Sequence, residues 1–397
     1  MKKKEQKDLT IVIVNDFDYV QGGASKVALE TAKILHQNGY NVFFFSGTHQ
    51  ENEYLKLGFK NITLNMEECL KDKNKIRGAL RGLYNVKAKK ELRKLLKTLD
   101  PNKTIIHVHG WTKTLSSSVF SVAFKMNFKV VLTLHDYFTA CPNGGFFNYP
   151  KNEICKLKPL SCKCICTNCD SRNYVFKMYR VVRQFIQNKV LYKKIENVIS
   201  ISDFSERILK PFFDTKVRFV RINNPIKKGK TNIKPDFEKN SYYLYVGRIS
   251  KEKGVDIFCE AITALNAYGI VVGDGEERAN LEKKYPNITF AGWKNDEEVE
   301  QYMLKAKALI FPSRWYEGAP LTPIEAMRLG IPCIVSNNSA ATDYIIEGSN
   351  GFIFQNLEHL ICILKNFNMK KMKKMIYKED YYDQLTKYYE KILLEKK

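Results

Sequence analysis

At 397 residues, 44% of them hydrophobic, the chain is longer than one hydrophobic core usually organises and predicts two domains of about 200 residues each. Lys and Arg number 65 against 42 for Asp and Glu, and the resulting charge of +23 favours an anionic partner: nucleic acid, anionic lipid headgroups or phosphorylated small molecules. No apolar run approaches the roughly 18 residues of a membrane span, and the stretch Leu9 to Val14 after the opening Met1-Lys2-Lys3-Lys4 is too short for a secretory signal, so a cytoplasmic protein is expected.

Leu9 to Val14 reads as a buried parallel strand, Gly22-Gly23 as a loop, Ala24 to Gly39 as a helix closed by glycine, and Asn41 to Phe45 as the next strand. That order is the βαβ unit of a doubly wound sheet. Lysines concentrate between Lys87 and Lys97, either as a solvated helix face or as a membrane-surface patch. Further strands are expected at Thr104 to Val108, Lys129 to Leu134 and Asn197 to Ile201. Between the last two lie six of the ten cysteines, from Cys141 to Cys169; Cys69, Cys259, Cys333 and Cys362 stand alone in apolar contexts, as small buried hydrophobes do. In a reducing compartment, six clustered thiols fit a shared metal better than disulfides, free or redox-active thiols being the alternative. Four would satisfy zinc, and Cys166-x-x-Cys169 has one standard ligand spacing, without a second such pair.

At Asn223-Asn224-Pro225 and the lysine-rich stretch to Asn240, turn formers and charge replace apolar periodicity, which predicts a domain change: residues 1–222, then 223–377. The second alternation runs through a strand at Tyr242 to Val246, a helix at Asp256 to Ala267, and strands at Tyr268 to Val272, Asn287 to Gly292 and Ala308 to Phe311. Both halves are thus expected to be Rossmann-like. A second lysine concentration, Lys370 to Lys374, precedes an amphipathic tail, 378–397, expected to close the molecule as a helix packed back on the N-terminal domain.

The segment from Phe311 to Gly330 places Glu317 and Glu325 eight positions apart. Leu321 onward is helical in composition, with Pro323 tolerable in the first turn, so Glu317 lies in the preceding loop and Glu325 on the helix. A loop and helix N-terminus at the carboxyl edge of a parallel sheet suit a diphosphate, with carboxylates beside it to accept hydrogen bonds from sugar hydroxyls. Two glutamates so spaced are ordinarily solvated surface, but their context is specific. With Gly247-Arg248-Ile-Ser-Lys-Glu-Lys253-Gly254, Val272-Gly273-Asp274-Gly275 and the Gly22-Gly23 loop, the chain resembles glycosyltransferase family 4 over nearly its whole length.

The resemblance implies a GT-B fold, two Rossmann-like doubly wound domains facing across a cleft, and a retaining, metal-independent transferase using a UDP- or GDP-linked sugar. It implies that Arg248 and Lys253 stabilise the donor diphosphate and that Glu317 contacts the transferred sugar. Glu325 then meets the ribose, and the backbone of Gly318, Ala319, Pro320, Leu321 and Thr322 lines the diphosphate and sugar. His135, closing a strand before Asp136, matches a family histidine on the donor sugar; His109 is a candidate for the acceptor side, Gly22 and Gly23 allow close backbone approach to phosphate or sugar, and Lys26 stands where many members carry arginine. A cysteine pattern in a bacterial subset resembles Cys141, Cys155, Cys164 and Cys169, implying a structural zinc held by those four. The expected partners are a nucleotide-sugar donor, a glycan or lipid-linked acceptor and an anionic membrane face, with no catalytic cofactor and no nucleic acid. The competing readings are a nucleic-acid-binding protein with a zinc module, which leaves Arg248, Lys253, Glu317 and Glu325 unexplained, a sugar-nucleotide epimerase, and an inactive homologue.

Overall fold

The structure, a computed structural model, describes residues 7–225, 240–367 and 380–394. The opening lysines, most of the lysine-rich stretch before Asn240 and the concentration at Lys370 to Lys374 lie outside the described residues.

The N-terminal half contains strands β1 (Thr10–Phe17), β2 (Asn41–Thr48), β3 (Lys60–Thr63), β4 (Thr104–Val108), β5 (Lys129–Leu134), β6 (Phe147–Asn148), β7 (Glu153–Ile154), β8 (Asn197–Ser200) and β9 (Arg218–Arg221). Its helices are α1 (Gly23–Gln37), α2 (Lys75–Leu83), α3 (Val86–Leu96), α4 (Ser118–Lys125), α5 (Cys162–Cys166), α6 (Tyr174–Leu191) and α7 (Asp203–Leu209). Seven strands form one parallel sheet in the order β3-β2-β1-β4-β5-β8-β9, while β6 and β7 make a small antiparallel hairpin.

The second half contributes β10 (Tyr242–Val246), β11 (Tyr268–Val272), β12 (Ile288–Gly292), β13 (Ala306–Phe311), β14 (Cys333–Ser336) and β15 (Gly351–Phe354), with helices α8 (Val255–Ala264), α9 (Arg278–Lys284), α10 (Asp296–Leu304), α11 (Leu321–Leu329) and α12 (Leu357–Lys365). Its six strands are also all parallel, in the order β12-β11-β10-β13-β14-β15. The last described helix is α13 (Tyr381–Leu394). The fold is therefore α/β with two Rossmann-like domains.

Continuous apolar strands arise because both sheet faces are covered. Along β1, Ile11 and Ile13 enter one core cluster and Val12 and Val14 another, as the twofold alternation of a strand requires; along β10, Tyr243 and Tyr245 separate from Tyr242 and Leu244 in the same way. Helix α13 places Leu385, Tyr388, Tyr389 and Ile392, at i, i+3, i+4 and i+7, into the cluster that contains Ile11 and Ile13. The C-terminal helix thus covers the N-terminal sheet. In the lysine-rich α3, Ala88, Leu92, Leu95 and Leu96 are buried, leaving Lys87, Lys90, Lys94 and Lys97 as a solvated face. Strand β1 continues three residues beyond the expected Val14, because Asn15, Asp16 and Phe17 are buried and Asn15 and Phe17 pair with Ser46 and Thr48 of β2.

Strand order reverses between β1 and β4 in the first sheet and between β10 and β13 in the second. Ligands of open parallel sheets bind outside the carboxyl ends at such reversals, where diverging connections leave a crevice.

Candidate active site

Both reversals are lined by motif residues, and the two crevices meet. In the first sheet, Gly22-Gly23 follows β1, His109 follows β4, and His135 follows β5. Added Cβ atoms at Gly22 and Gly23 would meet no atom within 4 Å, so packing does not demand glycine there; the loop borders open space. Asp16 fixes the loop after β4 by accepting from Lys113 N at 2.8 Å, Thr114 N at 2.9 Å and Leu115 N at 3.0 Å.

Three histidines form a chain at this edge. His107 bonds Tyr389 Oη of α13 through Nδ1 at 2.6 Å and Thr133 Oγ1 through Nε2 at 2.7 Å. His109 Nδ1 and His135 Nε2 are 2.9 Å apart with their rings stacked, and His109 Nε2 is buried with no hydrogen-bond partner among the described residues. Burial lowers the pKa of His107 to about 3, that of His135 to about 4, and that of His109 well below the ordinary value, the neighbouring imidazoles adding to the effect at His107 and His109. All three are neutral at pH 7, and His135 makes no hydrogen bond through Nδ1 among the described residues. Two residues on, Tyr137 is buried, and its hydroxyl also lacks a hydrogen-bond partner among the described residues.

The second sheet supplies the charged groups. After β10, Gly247 and Gly254 adopt positive φ of 156° and 67°, and a Cβ at Gly254 would collide with the Pro312 carbonyl, so the loop carrying Arg248 and Lys253 lies directly against the one leaving β13. Glu317 Oε1 accepts from Lys253 Nζ at 2.5 Å, Ser313 Oγ at 2.8 Å and Trp315 Nε1 at 2.5 Å. Arg248 pairs with the buried Glu252, which also accepts from Ser250 Oγ at 2.9 Å. The two cations expected at a donor diphosphate are thus each neutralised by a carboxylate, and an incoming anion would have to redistribute these pairs. Residues Gly318, Ala319 and Pro320 lead into α11, whose first turn holds Leu321, Thr322 and Pro323 and whose next residues include Glu325. Its free first-turn N–H groups, with the helix dipole, favour an anion at this end.

Side chains from the first domain close over this loop. Ser202 Oγ donates to the Gly318 carbonyl, Tyr316 packs against Tyr137, Phe146 and Phe204, and Lys26 of α1 lies 3.7 Å from Glu325 and 3.3 Å from Asp296. A Cβ at Gly145 would meet the Trp315 ring at 2.9 Å, so the cysteine-bearing segment also abuts the Glu317 loop. The structure therefore gathers Arg248, Lys253, Glu317 and residues 318–322 after β10 and β13, sets Lys26 of α1 against Glu325, and puts the Tyr137 hydroxyl, two residues after His135, 3.8 Å from where a Cβ on Gly318 would stand; His109 lies against His135. Tyr137 and Tyr316 carried no motif signal; they matter because two domains meet there.

The cysteines converge differently from the expectation. Lys177 of α6, wholly buried, places Nζ 3.5 Å from Cys164 Sγ and 3.3 Å from Cys169 Sγ, while Cys141 Sγ donates to Asn143 Oδ1 at 3.0 Å. Burial raises the Cys141 thiol to about 11 and raises Cys169 as well, Cys155 and Cys164 adding to the latter. Cys162 and Cys166 are exposed. An ammonium among the sulfurs repels a cation, and among the described residues no group of three or more His, Cys, Asp or Glu side chains is placed to hold a metal ion. Cys141, Cys155 and Cys164 all lie near enough to Cys169 to interact with it electrostatically, but Lys177 would have to withdraw before the four could share a zinc ion.

Residues 21–228 match the family described as Glycosyltransferase Family 4 and residues 227–379 the family described as Glycosyl transferases group 1. The chain is 25% identical over 267 residues to an uncharacterized 41.2 kDa protein in the cps region of Klebsiella pneumoniae, covering 65% of this chain and 67% of that one. It is 29% identical over 133 residues to the UDP-Gal:alpha-D-GlcNAc-diphosphoundecaprenol alpha-1,3-galactosyltransferase of Escherichia coli, covering 30% of this chain and 34% of that enzyme. Among solved structures, Anabaena Alr3699/HepE in complex with UDP superposes with a TM-score of 0.60 at 15% identity, covering 90% of this chain and 89% of that one, a likeness of fold.

Proposed function

The chain belongs to glycosyltransferase family 4, and from that premise we propose that it is a retaining glycosyltransferase moving a sugar from a UDP- or GDP-linked donor to a glycan or lipid-linked acceptor in cell-surface polysaccharide synthesis. One observation supports this reading: Arg248, Lys253, Glu317 and the start of α11 gather at the β10/β13 reversal, with Lys26 of the first domain against Glu325.

The donor diphosphate lies at the α11 N-terminus, drawing Arg248 and Lys253 away from Glu252 and Glu317. As the bond between the anomeric carbon and the diphosphate oxygen breaks, these cations and the α11 amides stabilise the charge that appears on the leaving group. The acceptor hydroxyl attacks the same face, and its proton passes to the departing phosphate oxygen, so the anomeric configuration is retained and the chain need supply no nucleophile. Glu317, freed from Lys253, orients sugar hydroxyls; Glu325 takes the ribose, and neutral His135 offers Nδ1 to the sugar. Fixed protein cations supply the charge on this route, so the reading assigns no catalytic metal.

The acceptor side supports a membrane-proximal substrate. No helix among the described residues is long and apolar enough to cross a membrane, but α2 exposes Ile76 and Leu80, and α6 exposes Val175, Val182 and Phe185, amid lysines and arginines. Such a face suits anionic lipid, and we place the protein at the inner membrane face; failure to sediment with anionic liposomes at low salt would remove this part.

The deciding experiment is thermal denaturation with UDP, GDP, CMP and a short DNA duplex, repeated with Glu325→Ala and Arg248→Ala. Ligand at about 100 times its dissociation constant stabilises by roughly 2.7 kcal/mol, a shift of a few degrees. A shift with one nucleotide that both substitutions abolish is the expected result. A salt-sensitive shift with DNA alone would overturn the proposal in favour of a nucleic-acid-binding protein.

A further inference from the structure

A cluster of cations outside the donor loop remains unused. Helix α6 carries Arg180 and Arg183 one turn apart, with Phe176 and Tyr179, facing a recess whose other wall is Glu68, Thr112, Lys113 and Phe138. Lys113 stands four residues after His109, and Phe138 three after His135, so the recess opens beside the carboxyl edge of the first sheet.

The charges there do not cancel. Arg180 is paired with Asp170, Nε to Oδ2, at 2.7 Å, and Glu68 with Lys71 at 2.5 Å. Asp16 is committed to the backbone amides of residues 113–115. Arg183 donates only to carbonyl oxygens, those of Thr112 at 3.4 Å and Pro142 at 3.2 Å, with its guanidinium 4.7 Å over the Phe138 ring. Neither Arg183 nor the Lys113 ammonium has a hydrogen-bonded carboxylate among the described residues; Glu68 acts on Lys113, and Asp136 and Asp16 on both, only through space. A half-buried guanidinium that reaches only carbonyls, with a solvent-accessible lysine beside it, is the arrangement that recruits an oxyanion.

From this geometry we propose that Lys113 and Arg183, with Arg180 behind them, form an oxyanion subsite in the N-terminal domain that holds a phosphate or diphosphate group of the acceptor. The assignment to the acceptor rests on the transferase reading above; the anion site itself does not. Two further facts agree with it. Loss of hydration lowers Arg183 to about 10 and also lowers Lys113, and in each case the charge of Arg180 adds to the effect while the nearby carboxylates offset it only in part. The planar fork of Arg183 matches a tetrahedral oxyanion, while Lys113 supplies a mobile point charge at the mouth.

The test is calorimetric titration of inorganic pyrophosphate into the full chain carrying Arg248→Ala and Lys253→Ala, which removes the donor-side cations. Binding should persist, and adding Lys113→Ala or Lys113→Glu should weaken it at least about tenfold. Arg183→Gln should do the same, and because that residue is half-buried its melting temperature is measured alongside; the exposed Lys113 carries the test if the arginine variant does not fold. Absence of pyrophosphate binding, or binding indifferent to Lys113, overturns the subsite. A parallel titration with geranyl diphosphate separates the sources of the anion: tighter binding than pyrophosphate assigns a lipid-linked acceptor, equal binding a soluble phosphorylated one, and both support the site. If pyrophosphate binds at Lys113 while no nucleotide shifts the melting temperature, the transferase reading fails and the subsite stands. The reverse pattern removes only the subsite.

Discussion

Lys26 on α1 and Glu325 on α11 meet across the cleft, Nζ to Oε1 at 3.7 Å, although 299 positions separate them, and Asp296 adds a second carboxylate at 3.3 Å. Burial disfavours the ammonium, but Glu325 and Asp296 outweigh it, so the Lys26 pKa is raised. These pairs hold the domains together where the nucleotide ribose is proposed to sit. They are partly exposed, each worth about 0.5 kcal/mol, enough to bias a domain equilibrium without setting overall stability. Lys26→Ala should therefore increase the radius of gyration measured by small-angle X-ray scattering at low salt, and about 1 M salt should produce the same expansion in the unsubstituted protein. An unchanged scattering profile in both cases would show that the contact is no latch.

Removing Glu317 strands Lys253. The two side chains are only 12% and 19% exposed, so Glu317→Ala leaves a poorly hydrated ammonium without its partner and also unpairs Ser313 and Trp315. Urea denaturation should register a loss of about 2 kcal/mol, and adding Lys253→Met should recover part of it, since the stranded charge is then gone. A double variant less stable than Glu317→Ala by the full cost of a second independent substitution would contradict this coupling.

The histidine chain makes stability depend on acid. In the unfolded chain these imidazoles take up protons near pH 6.5, whereas in the folded protein His135 does so only at about pH 4 and His107 at about pH 3. The unfolded state thus binds more protons between those limits, so stability is full above pH 6.5 and falls as the pH drops toward 4, by up to about 1.4 kcal/mol per pH unit for each histidine. Urea midpoints measured from pH 7 to pH 4 should follow this slope, and His107→Gln should flatten it. An equal slope in the variant would place the acid sensitivity elsewhere.

Thiol chemistry separates the cysteines by burial. Cys162, Cys166 and Cys362 are exposed, whereas Cys69, Cys141, Cys164, Cys169, Cys259 and Cys333 are buried, and burial pushes Cys69 and Cys141 up to about 11. Ellman's reagent should titrate three thiols rapidly in the native protein and the buried six only after denaturation. Bound zinc would require Lys177 to withdraw from Cys164 and Cys169; one zinc per chain by metal analysis, with Cys164 and Cys169 essential for its retention, would establish that rearrangement.

Much of this architecture is legible in the residue pattern. Leu9 to Val14 and Tyr242 to Val246 are apolar on both faces, which only a covered parallel sheet accommodates, and glycines follow each at the turn into the next helix. Segments with that property announce where the chain reverses, and hence where Glu317, Arg248 and Lys253 must stand. The pattern was less informative about charge. Arg248 and Lys253 read as cations for a phosphate, yet each has a carboxylate against it, because the turn after Ser250 brings Glu252 onto Arg248 and the loop after β13 brings Glu317 onto Lys253.

Sequence by itself determined the two doubly wound sheets, their carboxyl edges and the spacing of Glu317 and Glu325, since strand and helix periods are local and survive in any window of the chain. Tertiary structure alone decided which distant groups meet: Tyr389 of the last helix on His107, Gly145 of the cysteine-bearing segment on Trp315, Lys177 between Cys164 and Cys169, and Arg183 on the carbonyls of Thr112 and Pro142. Periodicity fixes which face of an element is buried. What that face touches, and whether a charge there finds its counter-charge, depends on the packing of elements hundreds of residues apart, which no local pattern encodes.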